Sequence, residues 1–232
     1  TKKGDFLFIQ NERGTFMEKL KRYVIFLVGL LISSFGVAFI TKAELGTSPI
    51  SSIPYVLSLQ FPFSLGQFTI AFSIILILLQ FIILKKNFKK EYLLQIPVSI
   101  LFGYFIDIAM LLLQYMHPTF YIMKLMDLLL GSLILGFGIY IEILANVVML
   151  PGESFVRAIV VTWNKNFGNT KVIFDACISI IALCFSFLFF HTIQGVGQGT
   201  IIAALLVGFI AKFFVKIFSF LPNILFEKVE TK

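Results

Sequence analysis

Six long apolar segments limit how this chain can fold. Each has about 20 residues, the length that an α-helix needs to cross the hydrocarbon core of a bilayer. Lipid offers no partner for backbone polar groups, and the alternating pattern of transmembrane strands is absent, so helices are expected. The predicted spans are residues 23–41, 66–84, 92–114, 127–150, 168–190 and 200–221.

The composition indicates a membrane rather than water as the solvent. Hydrophobic residues make up 59% of the 232 residues, against about 45–50% in ordinary soluble domains. The net charge of +7 does not indicate a nucleic-acid partner, because Lys and Arg cluster at the ends of apolar segments. Their distribution instead predicts a multi-pass protein in contact with membrane lipids, with both termini in the cytoplasm.

The second half of the chain repeats the first. Residues separated by 102 positions match without a gap, and Gly103 matches Gly208 at a separation of 105. The pairs at 102 include Gly29 and Gly131, Gly36 and Gly138, Ala43 and Ala145, Pro49 and Pro151, Ser52 and Ser154, and Gly66 and Gly168. Each copy holds three spans, and an odd number of crossings makes the second copy enter the membrane from the opposite side.

The expected fold is therefore an all-α membrane protein of six transmembrane helices, built as two inverted three-helix repeats. The repeats are residues 23–114 and 127–221, between cytoplasmic tails 1–22 and 222–232. Residues 1–16 are polar and precede Met17, which indicates an upstream extension or a disordered tail. The glycines of the first and fourth spans are expected to allow close helix packing.

Two connections interrupt the helical pattern at matching places, after the first and fourth spans. Each opens with a turn containing Gly and Pro, continues as a short apolar segment and reaches Gly66 or Gly168. We interpret them as half-helices, either re-entrant or lying at the membrane interface. Paired interruptions mark binding sites in transporters, although helix capping explains the same polar residues. The candidate substrate-binding residues are Gly46, Thr47, Ser48, Pro49, Ser52, Gln67, Pro151, Gly152, Glu153, Ser154 and Asn169.

Four ionisable residues fall within the predicted spans, where a charge is costly. They are Asp107, Glu142, Asp175 and Lys212, and all four are expected to point into the bundle. Asp107 and Lys212 are equivalent in the two copies, so a functional ion pair between them is one hypothesis. The alternatives are that the two charges only neutralise each other, with a structural role, or that Lys212 snorkels. A carboxylate here can exchange a proton or bind Na⁺, or serve only in packing. Cys177 and Cys184 lie on one helix, cannot form a disulfide and are expected in the core.

Three motifs in order resemble the YczE/YyaS/YitT group of bacterial integral membrane proteins. They are ITKAELGTSPISSIPYVLS after the first span, LPGESFVRAI in the second half and GTIIAALLVG at the start of the last span. The resemblance covers Met17 to Leu221 and implies a bacterial cell membrane location and a suspected transport role, with no catalytic residues. Many members of that group have a more basic second turn than Pro151-Gly152-Glu153-Ser154, so the resemblance implies no shared substrate.

The sequence favours a secondary transporter or exporter of a small polar or amphipathic solute. The alternatives are a membrane scaffold or regulator that does not transport, and a substrate-binding membrane subunit of a larger transport complex. The sequence has no nucleotide-binding loop, no nucleophile elbow and no metal-binding motif, so we expect no enzyme activity, no cofactor and no metal. A homo-oligomer is left open.

Overall fold

The computed structural model describes residues 16–226. Over this range the chain is helical and contains no strand. The α-helices are α1 (Phe16–Lys42), α2 (Pro49–Gln60), α3 (Leu65–Leu84), α4 (Gln95–Leu112), α5 (Tyr121–Ala145), α6 (Pro151–Trp163), α7 (Phe167–Phe190), α8 (Gln198–Ile217) and α9 (Leu221–Leu225). Two short 3-10 segments, Lys85–Asn87 and Lys90–Leu94, connect α3 to α4.

Six of these helices are long and apolar enough to cross a membrane, which confirms the predicted all-α membrane class. They are α1, α3, α4, α5, α7 and α8, with the 3-10 segments extending α3 and α4 at the ends that face each other in sequence. The two short helices predicted after the first and fourth spans are also present, as α2 and α6.

Several helices begin or end at residues other than those of the predicted spans. α5 ends at Ala145 rather than at residue 150, because Asn146 has a left-handed backbone conformation (φ 50°) that stops the helix. Residues 16–22, predicted as a tail, form the start of α1, and residues 221–225 form α9 after α8 has ended at Ile217. The predictions for residues 1–15 and 227–232 lie outside the described part of the chain.

α1 and α5 form the central pair of the bundle, and their glycines allow the two backbones to approach. A Cβ atom at Gly36 would lie 2.5 Å from Cα of Leu135, and one at Gly131 would lie 2.7 Å from the backbone nitrogen of Ile40. No side chain fits in such a gap, which confirms the predicted packing role of these glycines.

The remaining helices are arranged around this pair. α4 packs against α1 and α8 against α5, while α2 packs against α7 and α6 against α3. α3 also packs against α4. α1 and α5 run antiparallel, because Arg22 at the start of α1 binds the carbonyl oxygen of Ala145 at the end of α5, and Lys124 near the start of α5 forms an ion pair with Glu44 just after α1.

We call the end of the bundle that contains Arg22 the basic end. The C-terminal part of α8 reaches this end, where the hydroxyl of Tyr140 donates to the carbonyl oxygen of Phe218. We call the other end, which contains Glu44, the opposite end. There the start of α8 is held by a hydrogen bond from the Gly199 amide to the Leu45 carbonyl oxygen (2.8 Å).

The first turns of α2 and α6 meet inside the molecule. The side chain of Ile50, the second residue of α2, lies so close to Gly152 of α6 that a Cβ atom there would be 2.7 Å from the Ile50 Cδ1 atom. Thr47, Ser48 and Ser154 are buried at the same place. By contrast, the C-terminal residues 161–163 of α6 are exposed. Each half-helix therefore begins within the bundle.

The prediction for the two cysteines is only partly right. Cys177 and Cys184 are free, as expected, but both are exposed on α7 rather than packed in the core.

Candidate functional site

A network of buried amides holds the first turn of α6. Gln80, near the end of α3, donates to the carbonyl oxygen of Pro151 (3.2 Å), and Gln95, at the start of α4, donates to the hydroxyl oxygen of Ser154 (2.9 Å). The Ser154 hydroxyl in turn donates to Gln80 Oε1 (2.8 Å), and the two glutamines exchange amide hydrogen bonds. All three side chains are buried. The network fixes a helix start that has no side-chain cap of its own.

Glu153, in the first turn of α6, lies within electrostatic range of carboxyl groups on two other helices. Glu142 of α5 is buried and accepts a 2.5 Å hydrogen bond from the Ser33 hydroxyl of α1. Glu142 is close enough to Glu153 of α6 for their charges to interact. The charge of Glu153 also interacts with the charges of Asp175 and Lys171 on α7. Lys171 and Asp175 form an ion pair with each other at 2.6 Å.

Burial and the charged residues of α7 determine the pKa of the Glu153 carboxyl group. Burial raises the pKa of the Glu153 carboxyl above its ordinary value, and the positive charge of Lys171 lowers it in part. The structure thus places Glu153 within electrostatic range of Glu142 and of Asp175, three residues that the sequence analysis had singled out separately. We call Glu142, Glu153, Lys171 and Asp175 the acidic cluster.

The hydroxyl groups around the turn between α1 and α2 form hydrogen bonds with nearby residues of the same segment. Thr47 shares a 2.8 Å hydrogen bond with Thr41, and Ser48 donates to Ser51 (2.9 Å). Ser52 donates to the carbonyl oxygen of Pro49 (2.6 Å). In this arrangement the predicted binding hydroxyls serve local structure. Gly46 has φ 116°, a conformation that side chains rarely adopt, and lies against Thr200 at the start of α8.

Other predicted site residues lie apart from the acidic cluster. Asp107 on α4 accepts hydrogen bonds from the Ser64 hydroxyl (2.6 Å) and the Gly66 amide (2.8 Å) at the start of α3. Lys212 on α8 is exposed, so the prediction that it points into the bundle is wrong, and it forms no ion pair with Asp107 within residues 16–226. Gln67 completes a capping box at the start of α3. The backbone N–H of Asn169 donates to the side-chain oxygen of Asn166, the cap residue of α7. Gln67 and Asn169 are exposed.

Equivalent helix pairs in the two halves differ in their packing. At the opposite end, Gly66 of α3 and Gly103 of α4 touch so closely that a Cβ atom on either would overlap the other helix. Their equivalents on α7 and α8 do not meet: a Cβ atom at Gly208 would have no atom within 4 Å, and one at Gly168 would approach only Asn166. Among the described helices, α3 packs against α4, whereas α7 and α8 make no comparable contact.

No three side chains of His, Cys, Asp or Glu within residues 16–226 come together as ligands.

One protein-family model matches residues 20–216, which is most of the chain. The chain belongs to this family, the family of unknown function DUF6198. No curated protein and no solved structure matches it. The resemblance to the YczE/YyaS/YitT group stays a hypothesis.

Sequence analysis missed the polar residues that matter most in this DUF6198 chain. Gln80, Gln95 and Ser33 lie inside apolar segments and carry no charge, so a search for ionisable residues passes over them. The signal that could have identified Gln80 and Gln95 is a neutral amide within an apolar span, because a hydrogen-bonding group there needs a partner from another helix. Lys171 was not considered as a site residue, although it pairs with Asp175.

Proposed function

We propose that this protein is a secondary transporter of a small polar or amphipathic solute, in which the pairs α3–α4 and α7–α8 open in turn. The observation that carries the proposal is the difference between these pairs, one closed through Gly66 and Gly103 and the other parted at Gly168 and Gly208. In transporters with inverted repeats, exchange of such arrangements exposes one site first to one side and then to the other.

The helix packing supports an inverted relation between the halves. When each helix of the first half is exchanged with its equivalent in the second, α1–α5 maps onto itself, α1–α4 maps onto α5–α8, and α2–α7 maps onto α6–α3. The burial of both half-helix starts favours re-entrant over interfacial helices, because irregular backbone at depth needs protein or cavity water around it.

A charge reversal accounts for the difference between the two pairs. Asp107 binds the amino terminus of α3, where the helix dipole favours a negative charge. The equivalent position on α8 holds Lys212, and the same dipole at the start of α7 disfavours a positive charge. The sequence therefore holds α3–α4 closed at the opposite end and leaves α7–α8 parted toward the basic end.

We infer from the Lys and Arg distribution that the basic end faces the cytoplasm, so that this state is open toward the cytoplasm. Cysteine labelling tests the assignment. A cysteine in place of Lys86 should react only with reagent on the cytoplasmic side, and one in place of His117 only with reagent outside. The reverse pattern would place the open side outside the cell.

Spin labels at matched positions test the exchange itself. In a background with Cys177→Ala and Cys184→Ala, one labelled pair joins Ala71 and Ile108 across α3–α4, and the other joins their equivalents Ile173 and Phe213 across α7–α8. All four positions are exposed. We expect Asp107→Lys to lengthen the first distance and shorten the second, and Lys212→Asp to shorten the second. The control is Lys216→Asp, one turn further along α8.

The rival function is a scaffold that uses the parted face of α7 and α8 to bind a partner. In a scaffold the two distances are independent, so a change at Asp107 would alter the first distance and leave the second unchanged. That result would reject alternating access. A coupled change in both distances would reject a static scaffold.

A further inference from the structure

A groove on the outer face of α3 and α4, near the basic end, has no part in the proposed transport pathway. Its volume is about 330 Å³, at the lower limit of ordinary ligand pockets of about 300–1,000 Å³. The apolar side chains that line it are Ile74, Ile77, Leu78, Phe81, Leu93 and Ile96. These six side chains suit a hydrocarbon chain and offer no hydrogen bonds to a polar ligand.

The segment between α3 and α4 shapes the rim of the groove. The ring of Phe88 packs edge to face against that of Phe81, with 5.3 Å between the centroids, and the ring of Tyr92 packs against Phe88 at 5.3 Å. Phe88 and Lys90 complete the lining. Aromatic rings of this kind are frequent at the level of the lipid headgroups, so we expect the rim to lie near the lipid phosphates.

The rim is strongly basic. Lys85, Lys86, Lys89 and Lys90 are exposed within six consecutive positions, with Glu91 as the one neighbouring acid. None of the four lysines forms an ion pair within residues 16–226. An apolar groove that opens onto clustered lysines is complementary to one molecule of the bilayer, an anionic phospholipid.

We propose that this groove binds an anionic phospholipid, with an acyl chain along α3 and α4 and the phosphate at Lys89 and Lys90. The opposite side of the same helix pair carries Gln80 and Gln95, which hold the first turn of α6. The bound lipid therefore braces the two helices that position this turn. This site is independent of the transport proposal, since a scaffold would use it equally.

Brominated lipids test the site. Trp163 is the only tryptophan of the chain, so Trp163→Phe combined with Leu78→Trp places one fluorophore in the groove. The protein is reconstituted in phosphatidylcholine bilayers that contain increasing fractions of brominated phosphatidylglycerol, or of brominated phosphatidylcholine as the neutral arm. We expect quenching at a lower fraction of the anionic lipid than of the neutral lipid.

Lysine variants assign the headgroup contact. Lys89→Gln and Lys90→Gln should each raise the fraction of phosphatidylglycerol needed for half-maximal quenching roughly fivefold, the factor that corresponds to about 1 kcal/mol per lysine near a headgroup. Lys216→Gln, at the basic end of α8, is the matched control and should leave the curve unchanged. These exposed positions carry no packing role, so the variants should fold.

Equal quenching by the two lipids would overturn the proposal, as would a preference for phosphatidylglycerol that survives the double variant Lys89→Gln/Lys90→Gln. A preference lost equally in Lys216→Gln would show attraction to the whole basic end rather than a site, and would also overturn it.

Discussion

At the scale of single residues, glycine decides how close α1 and α5 can come. The backbone of α5 fills the space where a side chain at Gly36 would lie, so neither helix can accommodate a methyl group without moving apart. The same residue type at Gly208 has open space in front of it. Glycine is therefore required at the first position for packing, whereas the packing seen here imposes no such requirement at Gly208.

This contrast gives a paired prediction. Gly36→Ala should destabilise the protein by about 1–3 kcal/mol or more, the cost of overpacking a close contact. Gly208→Ala should be neutral or stabilise by up to about 1 kcal/mol, since alanine is the better helix former. Unfolding in detergent, followed by circular dichroism with increasing denaturant, measures both. Equal losses in the two variants would contradict the packing argument.

The Ser33–Glu142 hydrogen bond supports a second residue-scale prediction. Ser33→Ala removes the donor to a buried carboxyl group and should cost about 1–3 kcal/mol, the price of an unsatisfied buried polar group. Glu142→Gln keeps a carbonyl acceptor for the serine and should cost less. The same unfolding measurement compares the two. A larger loss in Glu142→Gln than in Ser33→Ala would mean that the charge, rather than the hydrogen bond, stabilises the pair.

At the scale of helices, the position of α6 depends on residues from α3 and α4. Gln80→Ala leaves the Pro151 carbonyl oxygen, the Ser154 hydroxyl and Gln95 each short of a partner in a buried place. We expect faster amide hydrogen exchange in the first turn of α6, because local opening becomes easier there. Gln67→Ala, which affects only an exposed cap on α3, is the control and should leave exchange in α6 unchanged. Unchanged exchange in Gln80→Ala would show that apolar packing alone holds α6.

The positions of the helices were predictable from the sequence, but the contacts between residues of different helices were not. Span length and apolar composition are local properties, so six spans and two half-helices were predictable. The end of α5 was missed because the apolar run continues through Val147 and Val148, past the left-handed Asn146. The pairing of Asp107 with Lys212 failed for a geometric reason: Asp107 lies near the opposite end of α4, whereas α8 carries Lys212 toward the basic end. Contacts such as that of Gln80 with Ser154 join segments that are distant in sequence, and no local sequence pattern predicts them.

At the scale of the whole molecule, the acidic cluster joins charges on three helices, α5, α6 and α7. Glu142 is on the central pair, Glu153 on the half-helix, and Lys171 and Asp175 on the helix that stands apart from α8. Two carboxylates on different helices repel when both are charged, and protonation of either removes the repulsion. Under the proposed transport function, we expect the cluster to connect proton binding to the separation of α7 from α8.

We therefore predict that pH controls the distance between α7 and α8. With labels at Ile173 and Phe213, the distance distribution of the native sequence should change between pH 5 and pH 8 as the cluster gains or loses a proton. Glu142→Gln and Glu153→Gln should each reduce the change, and the double variant should abolish it, because neither residue then titrates. Asp127→Asn, a carboxylate on the same helix as Glu142 but near its other end, is the matched control and should keep the full response. A double variant that responds to pH as the native sequence does would separate Glu142 and Glu153 from coupling, and would leave them the structural role of holding α1, α5 and α6 together.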